Sequence, residues 1–315
     1  MFKVRNIALF VLSLVLVINL LACSPAASTA TPGAVMLKDD AGRSVGIKTT
    51  PQRIVSLAPS NTEILFALGL SQRVVGVTDF CDYPAEAKTV AKIGGIEPNL
   101  EKIVALKPDL ILAIGGSPVV ASIGGNVELL QKFQDLGLTT LILAPKDLDG
   151  VLADIQLVGK AAGAEAAAAQ LVKEMQAKVN DVVTKSKNVA KRPVVFYELD
   201  ATDPAKPYTP GPGSWHDTFI AMAGGVNAAA KAKAQWAQLS TEEIVAQNPE
   251  MIILGDATWG VDAAAVKGRA GWAAINAVKA GAIFPIDDNL LSRPGPRLAD
   301  GLLALAKIIH PELFQ

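Results

Sequence analysis

The sequence predicts an α/β fold with two lobes, each built on a mainly parallel sheet, joined by a single long α-helix. Short apolar runs alternate with helical stretches in both halves of the chain, which is the pattern of parallel sheets covered by helices. Between the halves, residues 164–188 lack glycine and proline and are rich in strong helix formers. A chain of 315 residues with 50% hydrophobic composition is long enough for two lobes.

The N-terminal region indicates export and lipid attachment. Residues 1–22 combine Lys3 and Arg5 with an apolar run, as signal peptides do, although an uncleaved membrane anchor is an alternative. Their last three residues and the cysteine that follows read LLAC, which resembles a bacterial lipoprotein box, so we expect Cys23 to be lipidated. Residues 23–34 are small and polar and predict a flexible tether. The protein is therefore expected at the cell membrane, facing the periplasm or the extracellular side.

The charge balance argues against a nucleic-acid partner. The formal net charge of −1 becomes −3 once the two basic residues of the leader are removed, leaving 27 basic against 30 acidic side chains. Cys81 is the only other cysteine, so no intramolecular disulfide is predicted once Cys23 is lipidated. Stability must come from packing.

The N-terminal lobe, residues 35–163, is predicted to repeat a strand–helix order. RIVSLA is predicted as a buried strand, and Ser60 or Asn61 as the cap of the helix that follows. RVVGVT is predicted as the next strand, and NLEKIVAL as a helix capped by Asn99 and followed by the strand DLILAI. NVELLQKFQDLG and TTLILA repeat the order.

The connecting helix and the second lobe complete the pattern. Residues 164–188 would span roughly 35 to 40 Å as one helix, enough for a rigid connector. Residues 189–315, the C-terminal lobe, resume the strand–helix order from PVVFYEL to PRLADGLLALAKII. NLEKIVALKPDLILA, from Asn99, and STEEIVAQNPEMIIL, from Ser240, are nearly the same segment written twice. This repetition favours two similar lobes.

Reactive side chains are sparse, which argues against an enzyme. The phosphate-binding, nucleophile-elbow and zinc-helix motifs are missing from the sequence. Of the two histidines, His310 suits a helix C-terminus, whereas His216 lies in a loop that opens a helix. His216 is a candidate ligand contact and axial ligand to a bound metal complex, or else a solvated helix-start residue. A lone histidine does not predict a metal site held by the protein itself.

Aromatic and glycine residues concentrate in the predicted loops and indicate a cleft for a bulky ligand. For each aromatic candidate, the alternative is that the ring only packs against the protein and does not contact a ligand. Trp272 is predicted to lie in the core. Cys81 is predicted to be a small buried residue rather than a reactive thiol, and the sequence does not decide whether it touches the ligand. The helix start at Ser60 and Asn61 offers polar groups to the same cleft. The candidate contacts in the loops are Phe80, Tyr83, Gly95, Tyr208, Trp215, Trp236 and Trp259.

RIVSLAPSNTEILFALGLSQRVVGVTDFCDYPAEA, followed by NLEKIVALKPDLILA, resembles the substrate-binding proteins of ABC importers for cobalamin, ferric siderophores and heme. The resemblance extends from Arg53 to Pro311. It implies two lobes with little hinge bending, a metal chelate between them, and a permease with its ATPase as partner. It also implies a protein without enzymatic activity or a cofactor of its own, and we expect a monomer.

Cobalamin binders are the most similar members of that family. Phe80 before DYP, Tyr208 before T-x-G, and Trp236 in QWAQLS stand where those proteins carry aromatic residues. Gly95 departs from the pattern, because cobalamin binders often have a tryptophan in this loop. The expected cargo is therefore cobalamin or another corrinoid. A ferric-siderophore or heme receptor is the alternative, and an exported α/β enzyme is the more distant one.

The segment RPGPR recurs in the wider family. Arg293 is assigned to the cleft, where a guanidinium would equally suit an anionic siderophore or heme propionates. Arg297 is assigned to the start of the last helix or to the same cleft.

Two glutamates match the residues with which each lobe of that family meets arginines of the permease. They are Glu101 and Glu242. Asn99 and Ser240 resemble N-caps, so each acid would also gain about 0.3–1 kcal/mol from a helix dipole. Glu243 is assigned to a capping box with Ser240. The helix dipole explains an acid at one helix start, but it does not explain why both lobes carry a matching one. We therefore expect Glu101 and Glu242 to dock on the permease.

Overall fold

A computed structural model describes residues 34–115 and 127–314. The predicted signal peptide, Cys23 and all of the predicted tether except Ala34 lie outside these residues. Within the described ranges we find no helix that combines the length and the hydropathy of a membrane span.

The N-terminal lobe is built on a four-stranded parallel sheet. The lobe has six strands in the described residues, and the first two form a separate antiparallel hairpin. The other four make up the sheet, in which the strands lie in the order fourth, third, fifth and sixth. All five residues of the central fifth strand are buried, as expected for a strand covered on both faces. The strands are β1 (Val35–Lys38), β2 (Ser44–Ile47), β3 (Ile54–Ser56), β4 (Val74–Val77), β5 (Leu110–Ile114) and β6 (Thr140–Leu143). The helices are α1 (Pro59–Ala67), α2 (Leu100–Ala105), α3 (Val127–Asp135) and α4 (Leu148–Ala162).

The connecting helix, α5 (Glu165–Ser186), has 22 residues and is about 33 Å long. Its bounds lie one or two residues inside the predicted range of 164–188. A stripe of side chains at helical spacing, from Ala168 to Val182, is buried in a core shared by helices of both lobes. The helix packs on α4 on one side and on the last helix of the chain on the other.

The C-terminal lobe repeats the design with a second four-stranded parallel sheet. The strands are β7 (Val194–Glu198), β8 (Tyr208–Pro210), β9 (Val226–Asn227), β10 (Trp236–Gln238), β11 (Met251–Leu254) and β12 (Ile283–Pro285). The order of strands in the sheet is β12-β11-β7-β9, and β8 pairs with β10 in a separate antiparallel ribbon. The helices are α6 (Trp215–Met222), α7 (Thr241–Gln247), α8 (Ala263–Lys267), α9 (Asn276–Ala280), α10 (Asn289–Ser292) and α11 (Leu298–Ile309). The predicted fold class is confirmed.

The start of α1 differs from the prediction. Ala58 occupies the N-cap position without a side-chain hydrogen bond, and Pro59 is the first helical residue. Proline suits this position because its fixed φ matches the helix and its missing N–H would have no partner there. Ser60 and Asn61 therefore lie inside the helix, where both are buried. They do not cap it.

Acidic side chains fasten the β1–β2 hairpin to the N-terminal lobe. The buried carboxylate of Asp39 accepts hydrogen bonds from Arg43 Nη2 at 2.7 Å and from the amide of Ile142 at 3.2 Å. Asp40 Oδ2 accepts one from the amide of Ala144 at 2.6 Å. The turn of the hairpin thus covers the end of β6.

Below Asp40, α4 presents a second carboxyl group, that of Asp154, which is only 2% exposed. Burial, together with the charge and hydrogen bond of Asp40, raises the pKa of Asp154 from its ordinary value of 3.8 to about 8. Because the folded-state pKa is the higher one, the unfolded chain releases this proton first as the pH rises. Asp154 therefore weakens the fold progressively between about pH 4 and pH 8.

Asp154→Asn removes this ionisable group and retains a donor for Asp40. We expect the variant to exceed the parent in free energy of unfolding by about 1–3 kcal/mol at pH 9, and by less at pH 5. Urea unfolding at the two pH values measures the difference. As a control, Asp149→Asn removes an exposed first-turn acid from the same helix and should weaken the fold slightly. A gain for Asp154→Asn that does not grow with pH would contradict this explanation.

Candidate ligand cleft

The carboxyl ends of the strands carry the main aromatic candidates in both lobes. Phe80 follows β4, and Tyr208 lies in β8, which pairs with the residues just after β7: the amide of Leu199 donates to the carbonyl of Tyr208 at 2.9 Å. In open α/β sheets, ligands bind outside these ends of the strands. We call the space between the two sets of carboxyl ends the candidate cleft.

In the N-terminal lobe, Phe80 and Gly95 lie against each other. A Cβ atom on Gly95 would be 3.5 Å from Phe80 Cζ, which is ordinary van der Waals contact. The two loops are also joined by a hydrogen bond from the amide of Asp79 to the carbonyl of Gly94, at 2.9 Å. Phe80 as a whole remains 44% exposed. This lobe therefore offers one apolar ring in a fixed loop.

In the C-terminal lobe, Tyr208 and Trp236 share one face of the β8–β10 ribbon. Trp236 pairs with Pro210, and Tyr208 with Gln238. Thr209 and Ala237, between them, are buried on the other face of the ribbon, so the alternation of side chains leaves the two aromatic residues facing outward. Tyr208 is 44% and Trp236 is 42% exposed. This lobe therefore offers a surface of two aromatic rings.

His216 lies beneath Trp236, which corrects the alternative prediction of a solvated helix-start residue. It is completely buried in the first turn of α6 and meets Trp236 edge to face, with ring centroids 5.9 Å apart. Its Nε2 lies 2.9 Å from Asp288 Oδ1. Its Nδ1 has no hydrogen-bond partner in the part of the chain that the structure describes. Since α6 turns this side chain inward, His216 supports Trp236 from below, and its role as a ligand contact stays a prediction.

Asp288 connects several side chains below the candidate cleft. Its Oδ1 accepts a hydrogen bond from Tyr197 Oη at 2.6 Å, and its Oδ2 accepts one from the hydroxyl of Ser292. Burial alone would raise the pKa of Asp288, but the hydrogen bond and charge of His216, with the bonds from Ser292 and Tyr197, lower it overall. Burial and the adjacent Asp288 raise the pKa of Tyr197 well above its ordinary value. A connected polar network thus lies beneath the surface formed by Tyr208 and Trp236.

Arg293 is held by two acidic side chains of the N-terminal lobe, a role that its assignment to the cleft did not include. Its Nη1 donates to Asp82 Oδ1 at 2.6 Å and to Glu63 Oε1 at 3.2 Å. Arg297 binds the same buried Glu63 through two hydrogen bonds, of 2.8 and 2.6 Å. These contacts cross from one lobe to the other, so the arginines of RPGPR serve an interlobe ion cluster.

Tyr83 belongs to a different surface from Phe80. Its ring stacks on the guanidinium of Arg297, 3.9 Å from the centroid. It lines a groove of 620 Å³ beside α5, together with Phe66, Val90, Leu171, Met175 and Pro296. Phe66 is in the last turn of α1, far from the carboxyl ends of the strands. Tyr83 is therefore not placed with the aromatic residues of the candidate cleft.

Four further predicted contacts are not part of the aromatic surfaces. Ser60 and Asn61 are buried, and Asn61 Nδ2 donates to the carbonyl of Leu112 at 3.2 Å. Trp215 is partly buried against the interlobe core. Trp259, at the end of a 3₁₀ turn, is 87% exposed and so is not held in a packed wall.

Cys81 is buried, as the sequence predicted. Its Sγ lies 3.1 Å from the hydroxyl oxygens of both Thr62 and Thr78. The thiol packs inside the N-terminal lobe and does not contribute a surface to the candidate cleft.

Glu101 and Glu242 lie in the first turns of equivalent helices, and both are exposed. Each helix leads into the amino end of a parallel strand, so its own start lies at the carboxyl end of the sheet, beside the candidate cleft. The predicted caps are present: Asn99 accepts from the amide of Lys102 at 2.9 Å, and Ser240 forms a complete capping box with Glu243. Hydrogen bonds from its own backbone and from Ser240 lower the pKa of Glu242.

Residues 54–290 match the family described as periplasmic binding protein. The chain belongs to that family. This binding protein is 38% identical over 282 residues to the uncharacterized ABC transporter substrate-binding lipoprotein YvrC of Bacillus subtilis, covering 89% of the chain and 87% of the relative. It is 28% identical over 254 residues to a vitamin B12-binding protein of Vibrio cholerae, covering 80% and 86%.

Two solved structures are similar to this binding protein. The periplasmic heme-binding protein RhuT of Roseiflexus sp. RS-1 has a TM-score of 0.71 and 29% identity, covering 84% of this chain and 99% of that one. The periplasmic vitamin B12-binding protein BtuF of Vibrio cholerae has a TM-score of 0.68 and 25% identity, with the same coverage. The binding protein is thus an extracytoplasmic substrate-binding component of an ABC transporter and not an enzyme.

Acidic side chains that are buried or, for Asp288, partly buried are the supporting groups that the sequence reasoning missed. Besides Glu63 and Asp288, these are Glu198, which is fully buried and paired with Arg269, and Asp256. Burial, and then the charge of Glu198, raise the pKa of Asp256 to about 7. A signal existed for Glu63, since the apolar run ILFA follows it directly in PSNTEILFA, and a buried carboxylate requires a partner. In the described ranges no group of three or more His, Cys, Asp or Glu side chains could hold a metal ion.

Proposed function

We propose that the binding protein captures cobalamin or another corrinoid in the candidate cleft and delivers it to an ABC permease and its ATPase. Phe80 would contact the cargo from the N-terminal lobe, and Tyr208 and Trp236 from the C-terminal lobe. The observation that carries the proposal is the presence of exposed aromatic rings at the carboxyl ends of both sheets.

Exposed aromatic rings favour ligand binding because a bound ligand removes their apolar surface from water. Burying apolar surface contributes about 25 cal/mol per Å², and aromatic residues offer large flat areas at low entropic cost. A corrin is a broad ring system with a largely apolar face, which suits contact from two sides. Relatives named as vitamin B12-binding proteins support this choice of cargo.

Heme is the second candidate, and Tyr208 is the observation that favours it. The side chain of Tyr208 is 44% exposed beside Trp236, and tyrosine is an axial ligand of heme iron in some proteins. A similar solved structure is named as a heme-binding protein. A ferric siderophore would use the same cleft.

An absorption spectrum distinguishes these cargoes. The purified protein is incubated separately with cyanocobalamin, hemin and a ferric hydroxamate siderophore, and free ligand is removed by gel filtration. We expect the cobalamin bands to remain with the protein and the other two ligands to be lost. Retention of hemin with a shifted Soret band, and loss of cobalamin, would assign the protein to heme.

The same proposal includes membrane attachment and docking. We infer that Cys23 carries a lipid anchor, which the lipoprotein name of the Bacillus subtilis relative supports. Glu101 and Glu242, exposed beside the candidate cleft, would meet cationic side chains of the permease. The protein would act as a monomer and would need no cofactor of its own.

A further inference from the structure

A cluster of four ionic side chains forms a second connection between the lobes, in addition to α5. We call it the interlobe clamp. Glu63 and Asp82 belong to the N-terminal lobe, on α1 and on the loop after β4. Arg293 and Arg297 belong to the C-terminal lobe and flank the short segment between α10 and α11.

The geometry of the clamp is that of a strong, oriented ion pair. Glu63 is 3% exposed, and Arg297 binds both of its oxygens, through Nε at 2.8 Å and Nη2 at 2.6 Å. Such bidentate pairs fix orientation as well as distance. Arg293 adds a third hydrogen bond to Glu63, and Tyr83 covers the guanidinium of Arg297. A carboxylate buried in this way depends on both arginines for compensation of its charge.

The clamp is connected by short contacts to the aromatic surfaces of both lobes. On one side, Arg293 holds Asp82, which is two residues after Phe80 in the same loop. On the other side, Ser292 precedes Arg293 and donates to Asp288, the partner of His216 under Trp236. The same short stretch of chain thus supports an aromatic ring in each lobe.

We propose that Glu63 is a positioning residue that presets the spacing between Phe80 and Trp236 without touching the cargo. It does so by holding Arg293 and Arg297 against the N-terminal lobe. The consequence for cargo binding rests on the proposed function, whereas the consequence for lobe spacing does not. A cleft held at one width should bind its cargo without an ordering cost.

Lobe spacing is measurable by double electron–electron resonance in the full chain. Spin labels are introduced as unnatural amino acids at the exposed positions Gln134, on α3, and Lys279, on α9, which leaves both cysteines untouched. Glu63→Gln is the main variant. Arg293→Gln is the second, because it removes the contact to Asp82 while the bidentate Glu63–Arg297 pair keeps the fold together.

Lys178→Gln is the matched control. Lys178, on α5, pairs with Asp300, on α11, at 2.6 Å, but both side chains are about half exposed and the pair does not join α1 to the C-terminal lobe. Exposed pairs of this kind contribute little. The control variant should reproduce the distance distribution and the cargo affinity of the parent.

We expect a clearly broader distance distribution for Glu63→Gln and for Arg293→Gln than for Lys178→Gln. Cargo affinity, measured with cyanocobalamin, should fall about tenfold in both variants, as expected when preorganisation is lost. The proposal would be overturned if Arg293→Gln and any folded Glu63→Gln protein gave the same distance distributions as Lys178→Gln. A fall in their melting temperatures would not rescue it. If the parent binds no cyanocobalamin, the proposed cargo fails, and the distance measurement still decides whether the clamp sets the spacing.

Discussion

Reversing the charge of both glutamates proposed for docking, Glu101→Lys with Glu242→Lys, is expected to abolish uptake of the cargo by cells. Both carboxylates are exposed beside the candidate cleft, one on each lobe, so each reversal places a cation against the cationic side chains proposed for the permease. Cargo affinity should barely change, because neither residue lies in an aromatic surface. The free energy of unfolding should fall only slightly at each site, through the helix dipole. Uptake of labelled cyanocobalamin and calorimetry of the purified variant measure the two effects.

Glu165→Lys is the control for this variant. It reverses an exposed first-turn acid of α5 and loses the same dipole energy, but that helix does not begin at a sheet end beside the cleft. Uptake should persist in the control. Loss of cargo affinity in the double variant, or uptake unaffected by it, would show that these glutamates do not dock on the permease.

Trp236→Ala and Phe80→Ala are expected to weaken cargo binding by about 2 kcal/mol or more each, which is roughly thirtyfold in the dissociation constant. Each removes a large apolar face from one side of the candidate cleft, and Phe80 (44% exposed) and Trp236 (42% exposed) both have surface left for the cargo to cover. Trp236→Phe should keep much of the affinity, because it retains a ring over His216. Calorimetric titration with cyanocobalamin measures these changes.

Leu136→Ala is the control for the aromatic variants. Leu136 is 53% exposed, just beyond the last turn of α3 and away from the carboxyl ends of the strands. Its removal should leave cargo affinity unchanged. If neither aromatic substitution weakens binding more than Leu136→Ala does, the cargo does not lie between these rings.

Features with local physical causes were predictable from the sequence. The buried strands follow from runs such as DLILAI, and the connecting helix follows from a long stretch without glycine or proline. The caps at Asn99 and Ser240 form because a short polar side chain next to a helix start can accept an amide hydrogen bond. Tyr208 and Trp236 were both named, although only the register of the β8–β10 ribbon puts them on one face.

Features that depend on distant parts of the chain were not predictable. Arg293 and Glu63 are 230 residues apart, and no local pattern shows that the arginine has a buried partner. His216 looked like an exposed loop residue because its burial comes from Tyr197 and Trp236, which belong to other elements. Ser60 was misplaced for a local reason, since Pro59 takes the first helical position and moves the helix start.

Calorimetric titration of the purified protein with cyanocobalamin, beside hemin and a ferric hydroxamate siderophore, tests the central claim most directly. We expect one cyanocobalamin to bind per chain with a negative heat-capacity change, the mark of apolar surface being buried, and little heat from the other two ligands. Binding of hemin or the siderophore, with no heat from cyanocobalamin, would contradict the assignment of a corrinoid to the space between Phe80 and Trp236.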